Sequence, residues 1–588
     1  MLNNLNLNFY NLMQIIKTFI KLLIFICPFA ALGQSTFLPR GDKGYQFVDR
    51  LEIKQGINTD INFSTLKPYS RKTIVREVEF LDSARLGYMD SARNSKFQKW
   101  TSLSLTAVDE YNLHSFLMNN TEWVTGSKQI FLSKKMLLGS FYKTKSNLLE
   151  VNKKDFFLVV NPIFQFNQSK ESGNRQTIFL NTRGVTIRGI IANRLGFVSS
   201  ITDNQERGPV YFQNYVTGAR AVPGEGFYKG FKAVGGLDYF DARGYITFNA
   251  AKYVDIQFGY DKNFIGNGYR SLFLSDWGNS NLFLKLNTKI WKLNYQNLFM
   301  ELMPQFNKNS GDILLDRKYA TMHHLSMNVT KWLNLGIFES VIFGRKNHFD
   351  FQYLNPIIFL RHIEGAIGSP DNALVGGDLK ANIAYHFQVY GQLLIDEFVI
   401  SKIQENKGWW GNKFGTQIGI KYIDVLGIPN LDVQFEANKV RPYTYSHNDS
   451  ISNYTHYNQP LAHPLGANFK EFVGIVRYQP APKVYLLAKM IYYKKGLDST
   501  GYNAGGNIFR LDTDRNGIDE GYNVGGGRKA TCLNALIQVS YEFKENLYFE
   551  ISYQHRTFKI VTEPAQNNTS NLITAGIRLN IARREYDF

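Results

Sequence analysis

The sequence predicts an all-β protein: a transmembrane antiparallel β-barrel of about 18 strands with a small, mainly helical N-terminal region on the periplasmic side. Three observations favour this fold. Apolar and polar residues alternate with period two in many segments after about residue 155. Tight turns and long polar loops alternate along the same part of the chain. A short apolar run near the N-terminus has the form of an export signal, and no later run is long enough for a membrane helix.

The composition agrees with a large sheet. The chain has 588 residues, which is more than one ordinary domain holds unless the fold is a large sheet or barrel. Aromatic residues make up 15%, and such residues favour pleated, half-buried surfaces. The mean hydropathy of −0.26 argues against a bundle of membrane helices.

The first element is a predicted signal peptide, residues 1–33. The apolar run 22–33, "LLIFICPFAALG", suits the apolar region of a signal peptide and is too short to span a bilayer. We expect cleavage before Gln34, which leaves Cys532 as the one cysteine and excludes an internal disulfide framework. An exported chain without a later membrane helix is either soluble or a barrel.

Residues 34–150 lack the period-two pattern and predict a mainly helical periplasmic region that closes the inner mouth of the barrel. Thr106 and Asp109 have the spacing of a capping box, with aspartate in place of the usual Glu or Gln. Leu113 and Phe116 then fall on one helical face. The alternative for this region is a loose periplasmic linker.

Residues 151–588 carry the alternation that predicts the barrel and its long extracellular loops. The polar positions keep Lys, Glu, Gln and Asn in the middle of many successive segments, as a water-filled interior requires. A soluble β-sandwich alternates too, and these polar positions favour the barrel over it. The clearest segments are 254–260, 291–296, 381–389, 431–438 and 547–553.

Connection lengths support the same architecture. The turns at 330–331 and 544–546 are tight, whereas the stretches 441–470 and 494–530 are long and polar. Short turns at one end and long loops at the other are typical of outer-membrane barrels. At roughly 24 residues for a strand with its share of turn and loop, the barrel region gives about 18 strands.

The chain ends in a predicted last strand, "NLITAGIRLNI", followed by "ARREYDF". The terminal Phe588 is similar to the C-terminal sorting signal of bacterial barrels. The alternative is a soluble edge strand with an incidental last phenylalanine. The alternating apolar residues of the strand are Ile573, Ala575, Ile577, Leu579 and Ile581.

The sequence lacks the common catalytic motifs HExxH, GxSxG and CxxC, and it has no phosphate-binding loop motif. His323 and His324 are neighbours, so in a strand they point to opposite faces and cannot ligate one ion together. We therefore expect a protein that is not an enzyme. A membrane phospholipase with a Ser–His pair stays open as an alternative, because such pairs are recognised in three dimensions.

One stretch has the spacing of a calcium loop. Asp512, Asp514 and Asn516 occupy its positions 1, 3 and 5, and Gly517 stands where the sharp turn requires glycine. The last position is Asn523 and not the bidentate glutamate of strong sites. A weak Ca²⁺ site is the hypothesis, a polar turn is the alternative, and no other cofactor is expected.

Paired tryptophans stand in "GWWGNKFG". Trp409 and Trp410 suit the aromatic belt of a barrel, or a platform on which sugar rings stack. Because neighbours in a strand face opposite ways, we assign one to the belt and leave the other open.

A proline-rich segment, 458–471, interrupts the strand pattern with "NQPLAHPLGANFKE". Pro460 and Pro464 exclude a central strand and favour a rigid loop. We predict a folded loop that narrows the pore, either in contact with a glycan or as a plain plug. Its candidate binding residues are Gln459, His463 and Asn468.

The formal net charge is +18. A basic exported protein meets lipopolysaccharide and acidic polymers sooner than DNA, and no nucleic-acid motif is present. Expected partners are outer-membrane lipids, lipopolysaccharide and anionic surface polysaccharide. Basic loop ends gathered at one rim would form a glycan-facing surface, or would only match lipopolysaccharide phosphates. These cations are Arg441, Lys494, Lys495, Arg528 and Lys529.

The segment 259–281, "GYDKNFIGNGYRSLFLSDWGNSN", resembles a motif of the Wzi family of outer-membrane capsule-assembly proteins. This chain has Phe264-Ile265 where better-known members have paired tryptophans. Tyr269 is expected to stack on a sugar ring while Arg270 reaches a uronate. The candidate binding residues of the segment are Asn267, Tyr269, Arg270 and Asp276.

The segments 223–231, 239–246 and 458–471 are similar to the Bacteroidetes branch of that family, which includes a gliding-motility protein. The resemblance implies an 18-stranded barrel with a helical periplasmic region. It also implies a non-enzymatic role in holding or organising exported polysaccharide, with gliding or secretion machinery as partners. A porin or specific channel of the same architecture is the alternative.

Overall fold

The computed structural model describes residues 35–56, 63–85, 105–134, 136–138, 140–231, 235–306 and 314–588, so the predicted signal peptide lies outside the described part. The helices are α1 (Gly44–Gln55), α2 (Arg71–Arg85), α3 (Ala107–Met118), α4 (Val210–Ala219), α5 (Leu360–Ala366) and α6 (Ile400–Gln404). Among the described residues, none of the helices has the length and apolar character that crossing a membrane requires.

The strands fall into a set of long ones and a set of short ones. The long strands are β3 (Phe156–Glu171), β4 (Ile178–Ile191), β5 (Leu195–Arg207), β7 (Gly236–Ala251), β8 (Val254–Asp261), β10 (Asn281–Ile290), β11 (Leu293–Leu302), β12 (Lys318–Asn328), β13 (Leu333–Phe343), β14 (Asn372–Ile383), β15 (Phe387–Glu397), β16 (Lys413–Tyr422), β17 (Leu431–Val440), β20 (Phe469–Ala481), β21 (Val484–Leu497), β22 (Arg528–Lys544), β23 (Leu547–Ile560) and β24 (Asn568–Leu579). The short strands are β1 (Leu66–Lys67), β2 (Leu149–Lys153), β6 (Lys229–Phe231), β9 (Phe264–Ile265), β18 (Thr455–His456) and β19 (Gln459–Pro460).

The long strands form a closed antiparallel barrel of 18 strands, which confirms the predicted fold class. Each strand pairs with the next long strand along the chain, and β24 closes the barrel on β3 from Leu572↔Glu171 to Leu579↔Phe164. The short strand β2 pairs antiparallel with the first part of β3, and β6 pairs antiparallel with the first part of β7.

The alternating apolar and polar residues face the outside and the inside of the barrel, as predicted. In β17, Phe435 on the outer face is 59% exposed, whereas Gln434 and Glu436 on the inner face are buried. The same holds in β23, where Phe549 and Ile551 face outward. An apolar outside and a polar inside are what a membrane barrel requires.

Connections differ between the two ends of the barrel. At the turn end they are short, as at 252–253, 291–292 and 545–546. At the loop end they are long, and the predicted long loops run over 441–468 and 498–527.

The segment 381–389 does not form the single strand that its alternation predicts. Ala384 and Tyr385 have φ of 51° and 60° and make the turn between β14 and β15. The period-two pattern continues through the turn because the apolar residues of both strands face outward.

The helical region occupies the turn end. The predicted capping box is present at α3, where the Thr106 side chain accepts from the Asp109 backbone N–H and the Asp109 side chain accepts from the Thr106 backbone. Helices α1, α2 and α3 share an apolar core with Val48, Val75 and Leu113 at its centre. We call the described residues between 35 and 148 the plug region.

A loop also covers part of the outer wall. The connection 344–371, the outer flap, buries Tyr353 and Leu360 against outward side chains of β12 and β13. Beneath it lies a polar pair, His323 Nδ1 to Glu339 Oε1 at 2.8 Å, and the Leu360 backbone N–H donates to Glu339 Oε2 at 2.9 Å.

The last residues do not extend the last strand. β24 ends at Leu579, and residues 580–588, the tail, turn into the barrel. Phe588 is buried among Tyr211, Tyr215 and Trp277. Phe588 therefore packs on interior aromatic rings and does not stand at the end of an outer strand. The resemblance of this residue to a sorting signal stays a prediction.

Candidate functional site

The barrel interior is filled from both ends. From the loop end, the connections 262–280 (the inner loop) and 441–468 (the proline loop) fold into it. From the turn end, the plug region reaches up until β1 pairs with β9 of the inner loop, Leu66 with Ile265 and Lys67 with Phe264. The Phe37 backbone N–H also donates to the Tyr245 hydroxyl at 2.8 Å.

Ion pairs hold the plug region at the turn end. Lys43 Nζ lies 2.6 Å from Glu542 Oε1 and 2.7 Å from Glu545 Oε1. Arg50 Nη2 lies 2.9 Å from Asp424 Oδ1, and Arg50 also pairs with Asp432. These acidic residues lie at turns or strand ends, so the region contacts several turns at once.

The proline loop is a folded element inside the barrel, as its prolines predict. It carries the small sheet of β18 and β19, in which Thr455 pairs with Pro460. Leu461, Ala462 and Leu465 belong to the large interior core. Pro460 stands in this two-residue strand and not in the barrel wall, where its missing N–H would break the ladder.

Three predicted binding residues of this loop are buried and bonded within the chain. His463 Nε2 lies 2.7 Å from Glu471 Oε2. The Asn468 side chain accepts from the Gly525 backbone N–H at 2.7 Å and donates to the Ala504 carbonyl at 2.8 Å. Gln459 Oε1 accepts from the Gly224 backbone N–H at 2.8 Å. These bonds fix the three side chains inside the barrel, although the buried Gln459 Nε2 has no hydrogen-bond partner among the described residues.

The inner loop places Arg270 at the centre of the interior and not at the rim. Its guanidinium lies 3.2 Å from Glu471 Oε1 and 3.1 Å from Asp587 Oδ1. The backbone N–H groups of Tyr269 and Arg270 donate to the Glu436 carboxylate at 2.7 and 3.1 Å. The charge expected to meet a uronate is therefore compensated by carboxylates of this chain.

The other residues predicted in this segment are also engaged. Asn267 Oδ1 accepts from the Thr65 hydroxyl at 3.1 Å, and Asp276 Oδ2 accepts from Arg40 Nε at 2.9 Å. Both contacts join the inner loop to the plug region.

The tail adds carboxylates to the Arg270 site. Lys489 on β21 lies 2.8 Å from Asp587 Oδ2, and it also pairs with Glu585. The Tyr269 hydroxyl donates to Glu585 Oε2 at 2.9 Å. Burial by itself would raise the pKa of Asp587, but Arg270 and Lys489 hold that pKa far below its usual range. Asp587 is therefore ionised inside the barrel.

A cavity of about 780 Å³ lies between the plug region, the inner loop and the tail. Its described lining includes fourteen basic and ten acidic side chains, together with Tyr269 and Trp277. The cavity is thus polar, net basic and partly aromatic.

The residues of the predicted basic rim point to different sides of the barrel wall. Lys494 and Lys529 are exposed on the outer faces of β21 and β22. Lys495 points inward and donates to the Leu465 carbonyl at 2.6 Å, and Arg528 pairs with Glu563 at 2.5 Å. Arg441 donates to the Asn412 carbonyl at 2.6 Å. The four lysine and arginine side chains at 494, 495, 528 and 529 do not form one surface, because adjacent strand residues face opposite ways.

The paired tryptophans lie in the connection before β16 and not in a strand, so the expectation of opposite faces is wrong. The ring centroids of Trp409 and Trp410 are 5.8 Å apart. The Arg515 guanidinium lies 3.8 Å from the Trp410 ring centroid, which ties the pair to the loop 498–527.

The residues of the proposed calcium loop have partners within the chain. Asp512 lies 2.7 Å from Lys413 Nζ, and Asp514 lies 3.6 Å from Arg510 Nε. Asn516 donates to the Gly501 carbonyl at 2.7 Å. In the described part of the chain, no three His, Cys, Asp or Glu residues are grouped as a metal site. The weak Ca²⁺ site stays a prediction.

Sequence reasoning missed the tail and its partners. Lys489, Glu436 and Glu471 stand on inward positions of the alternating strands, which was a usable signal for interior charges. The charged run "RREYD" after the last strand was a second signal, since it ends the outward apolar pattern. The sequence does not show that these side chains contact Arg270, because the contacting residues are more than a hundred positions apart, as Arg270 and Asp587 are.

The fold and its polar, plugged interior define the class: the chain is an outer-membrane β-barrel protein. It is similar in structure to Wzi of Escherichia coli, described as an outer-membrane protein involved in group 1 capsule assembly and a carbohydrate-binding β-barrel. The TM-score is 0.53 at 12% identity, over 94% of this chain and 100% of that chain. At this identity the likeness is one of fold.

OprD of Pseudomonas aeruginosa matches with a TM-score of 0.38 at 10% identity, over 72% of this chain and 94% of that chain. No family model matches the sequence, and no curated protein matches it.

Proposed function

We propose that this protein binds acidic surface polysaccharide at the outer membrane and helps to retain or organise it, without catalysis. The observation that carries the proposal is the closed, net basic interior: folded segments enter the barrel from both ends around a cavity with aromatic and cationic lining. A blocked barrel suits holding a polymer better than passing small solutes. The carbohydrate-binding description of Wzi supports the same direction.

The test combines binding with conductance. Purified protein is expected to bind a uronate-rich polysaccharide more tightly than a neutral one. Its affinity should fall as salt rises, because the attraction between the basic protein and an approaching acidic polymer acts through solvent and is screened over ~8 Å at physiological ionic strength. In planar bilayers it is expected to give no stable open-channel current. A deletion strain is expected to lose surface polysaccharide.

The channel alternative predicts the opposite result. Stable single-channel currents together with a normal surface glycan layer would reject retention in favour of transport. A role in gliding, which the family resemblance implies, stays a separate proposal that colony spreading of the deletion strain would measure.

A further inference from the structure

The tail enters the interior as a segment whose alternate residues contact different parts of the barrel. Arg584 Nη2 donates to Asn204 Oδ1 at 3.0 Å, and the Tyr586 hydroxyl donates to Glu206 Oε2 at 2.8 Å. These two partners lie on β5. The alternating residues Glu585 and Asp587 turn instead to Lys489 on β21.

The side of the interior that these two residues face carries a cationic and aromatic site, built from β21, β23, the inner loop and α4. Arg270 and Lys489 face the two tail carboxylates. Arg556 on β23 donates to the Phe588 carbonyl at 3.1 and 3.3 Å. The aromatic surroundings of Phe588 have centroids 4.5 Å (Tyr215), 5.2 Å (Trp277) and 5.9 Å (Tyr211) from its ring.

We infer that this site binds a short stretch of acidic polysaccharide, and that residues 585–588 occupy it as an internal substitute for the ligand. This inference rests on the proposed function and names its site. Two carboxylates of the tail meet Arg270 and Lys489, the Phe588 carbonyl meets Arg556, and a ring lies against Trp277 and Tyr215. A uronate-containing glycan presents the same two kinds of group, since its carboxylates are anionic and its ring faces stack on aromatic side chains.

Charge decides which ligands can replace the tail. The side chains of Arg270 and Lys489 are 7% and 5% exposed. Withdrawing Glu585 and Asp587 without a replacement would leave the buried Lys489 without its carboxylate partners and Arg270 with Glu471 alone, and an uncompensated buried charge is strongly destabilising. An acidic glycan restores the pairing when it enters, whereas a neutral glycan does not. The site should therefore exchange its tail for acidic sugars only.

The neighbouring cavity provides room for the exchange. Tyr269, Trp277, Arg270 and the tail residues 583–587 all line it. A ligand in the cavity thus reaches the tail contacts without opening the barrel wall.

The test uses the full-length protein in detergent with oligogalacturonate as the acidic probe and a dextran fragment of similar size as the neutral one. The variant E585Q/D587N removes the ion pairs that hold the tail in the site. We expect it to bind oligogalacturonate at least about tenfold more tightly than the unmodified protein. Binding of dextran is expected to stay unchanged. The control variant E405Q/D519N makes the same change in net charge on exposed loop residues and should bind like the unmodified protein.

A second readout follows the tail itself. Trypsin is expected to cleave after Arg583 or Arg584 only when oligogalacturonate is present. Mass spectrometry of the whole protein measures the loss of the C-terminal residues. If E585Q/D587N folds poorly, this measurement on the unmodified protein decides the matter alone.

Two failures are distinguishable. If the unmodified protein binds oligogalacturonate but neither the variant's affinity nor the cleavage at Arg583 changes, the tail site is rejected and the proposed function stands. If no form of the protein prefers oligogalacturonate over dextran, the proposed function is rejected and the tail site with it.

Discussion

Arg270 shows how one residue connects the parts of this molecule. It comes from the inner loop, its partner Glu471 lies on β20, and its partner Asp587 lies in the tail. Burial lowers the pKa of Arg270, but Asp587 and Glu471 outweigh this and raise it. A single cation therefore holds a loop, a wall strand and the tail together.

Replacing Arg270 by glutamine is expected to destabilise the folded barrel by about 3 kcal/mol, since removing one partner of a buried pair leaves the other charges uncompensated. Thermal unfolding in detergent, followed by gel mobility of heated samples, measures the effect. Lys402→Gln is the matched control, because Lys402 pairs with Glu405 on an exposed helix at the loop end and its loss should not shift the midpoint. Equal midpoints for the two variants would contradict the central role of Arg270.

Asp587 gives the site a pH dependence at the acid end. Its pKa in the folded protein is depressed, so the unfolded chain takes up the proton first as pH falls. The stability from this carboxylate is fully present above the ordinary aspartate pKa of about 3.9 and is lost as pH falls below it. Between about pH 5 and pH 3 the unmodified protein is expected to lose thermal stability more steeply than Asp587→Asn. Parallel curves for the two proteins would show that the Asp587 pairs contribute nothing.

At the scale of elements, the strands of the barrel and the faces of their side chains can be predicted from the sequence. The paths of most segments that pack inside or outside the wall cannot. Period two fixes which side chains of β17 and β23 face outward, because every second residue shares a face. Pro460 and Pro464 keep the proline loop out of the wall. No periodic pattern in the sequence predicts the turn at Ala384 and Tyr385, the outer flap or the path of the tail. Each of them depends on packing against residues distant in sequence.

Gly496, at the junction of the proline loop and the loop 498–527, is expected to tolerate no side chain. A Cβ there would lie 1.8 Å from the Gly526 carbonyl oxygen and 2.3 Å from Asn468 Nδ2. Gly496→Ala should therefore loosen both loops and raise their rate of proteolysis several-fold. Gly474→Ala on β20 is the control, because its nearest atom would be the Phe435 ring at 3.6 Å, an ordinary contact. Unchanged proteolysis of Gly496→Ala would contradict this packing.

The outer flap carries its own prediction. Phe351 and Ile357 on its outward side are 80% and 86% exposed, while its inner side covers the His323–Glu339 pair. Because exposed apolar side chains such as these are unfavourable in water, we expect the outward side of the flap to meet lipid. Ile357→Asp should lower the yield of folded protein in the outer membrane, whereas Ile428→Asp, in a turn at the other end, should not. Equal yields of heat-modifiable protein for both would place the flap in water.

At the scale of the whole molecule, the two ends of the barrel have different tasks. The turn end binds the plug region through ion pairs to several turns, and the loop end sends two connections inward to meet it. The interior charges are then enclosed, which explains how a strongly basic chain keeps cations such as Lys489 buried.

This asymmetry predicts the orientation in the membrane: the plug region should face the periplasm and the long loops the exterior. Long loops of outer-membrane barrels are extracellular and short turns periplasmic. The same protease recognition sequence is inserted after Gly521 in the loop 498–527, or after Gly126 in the plug region; both positions are exposed. Protease added to intact cells is expected to cut only the first insertion, and after permeabilisation of the outer membrane both. Cleavage after Gly126 in intact cells would reverse the orientation and place the helices at the cell surface.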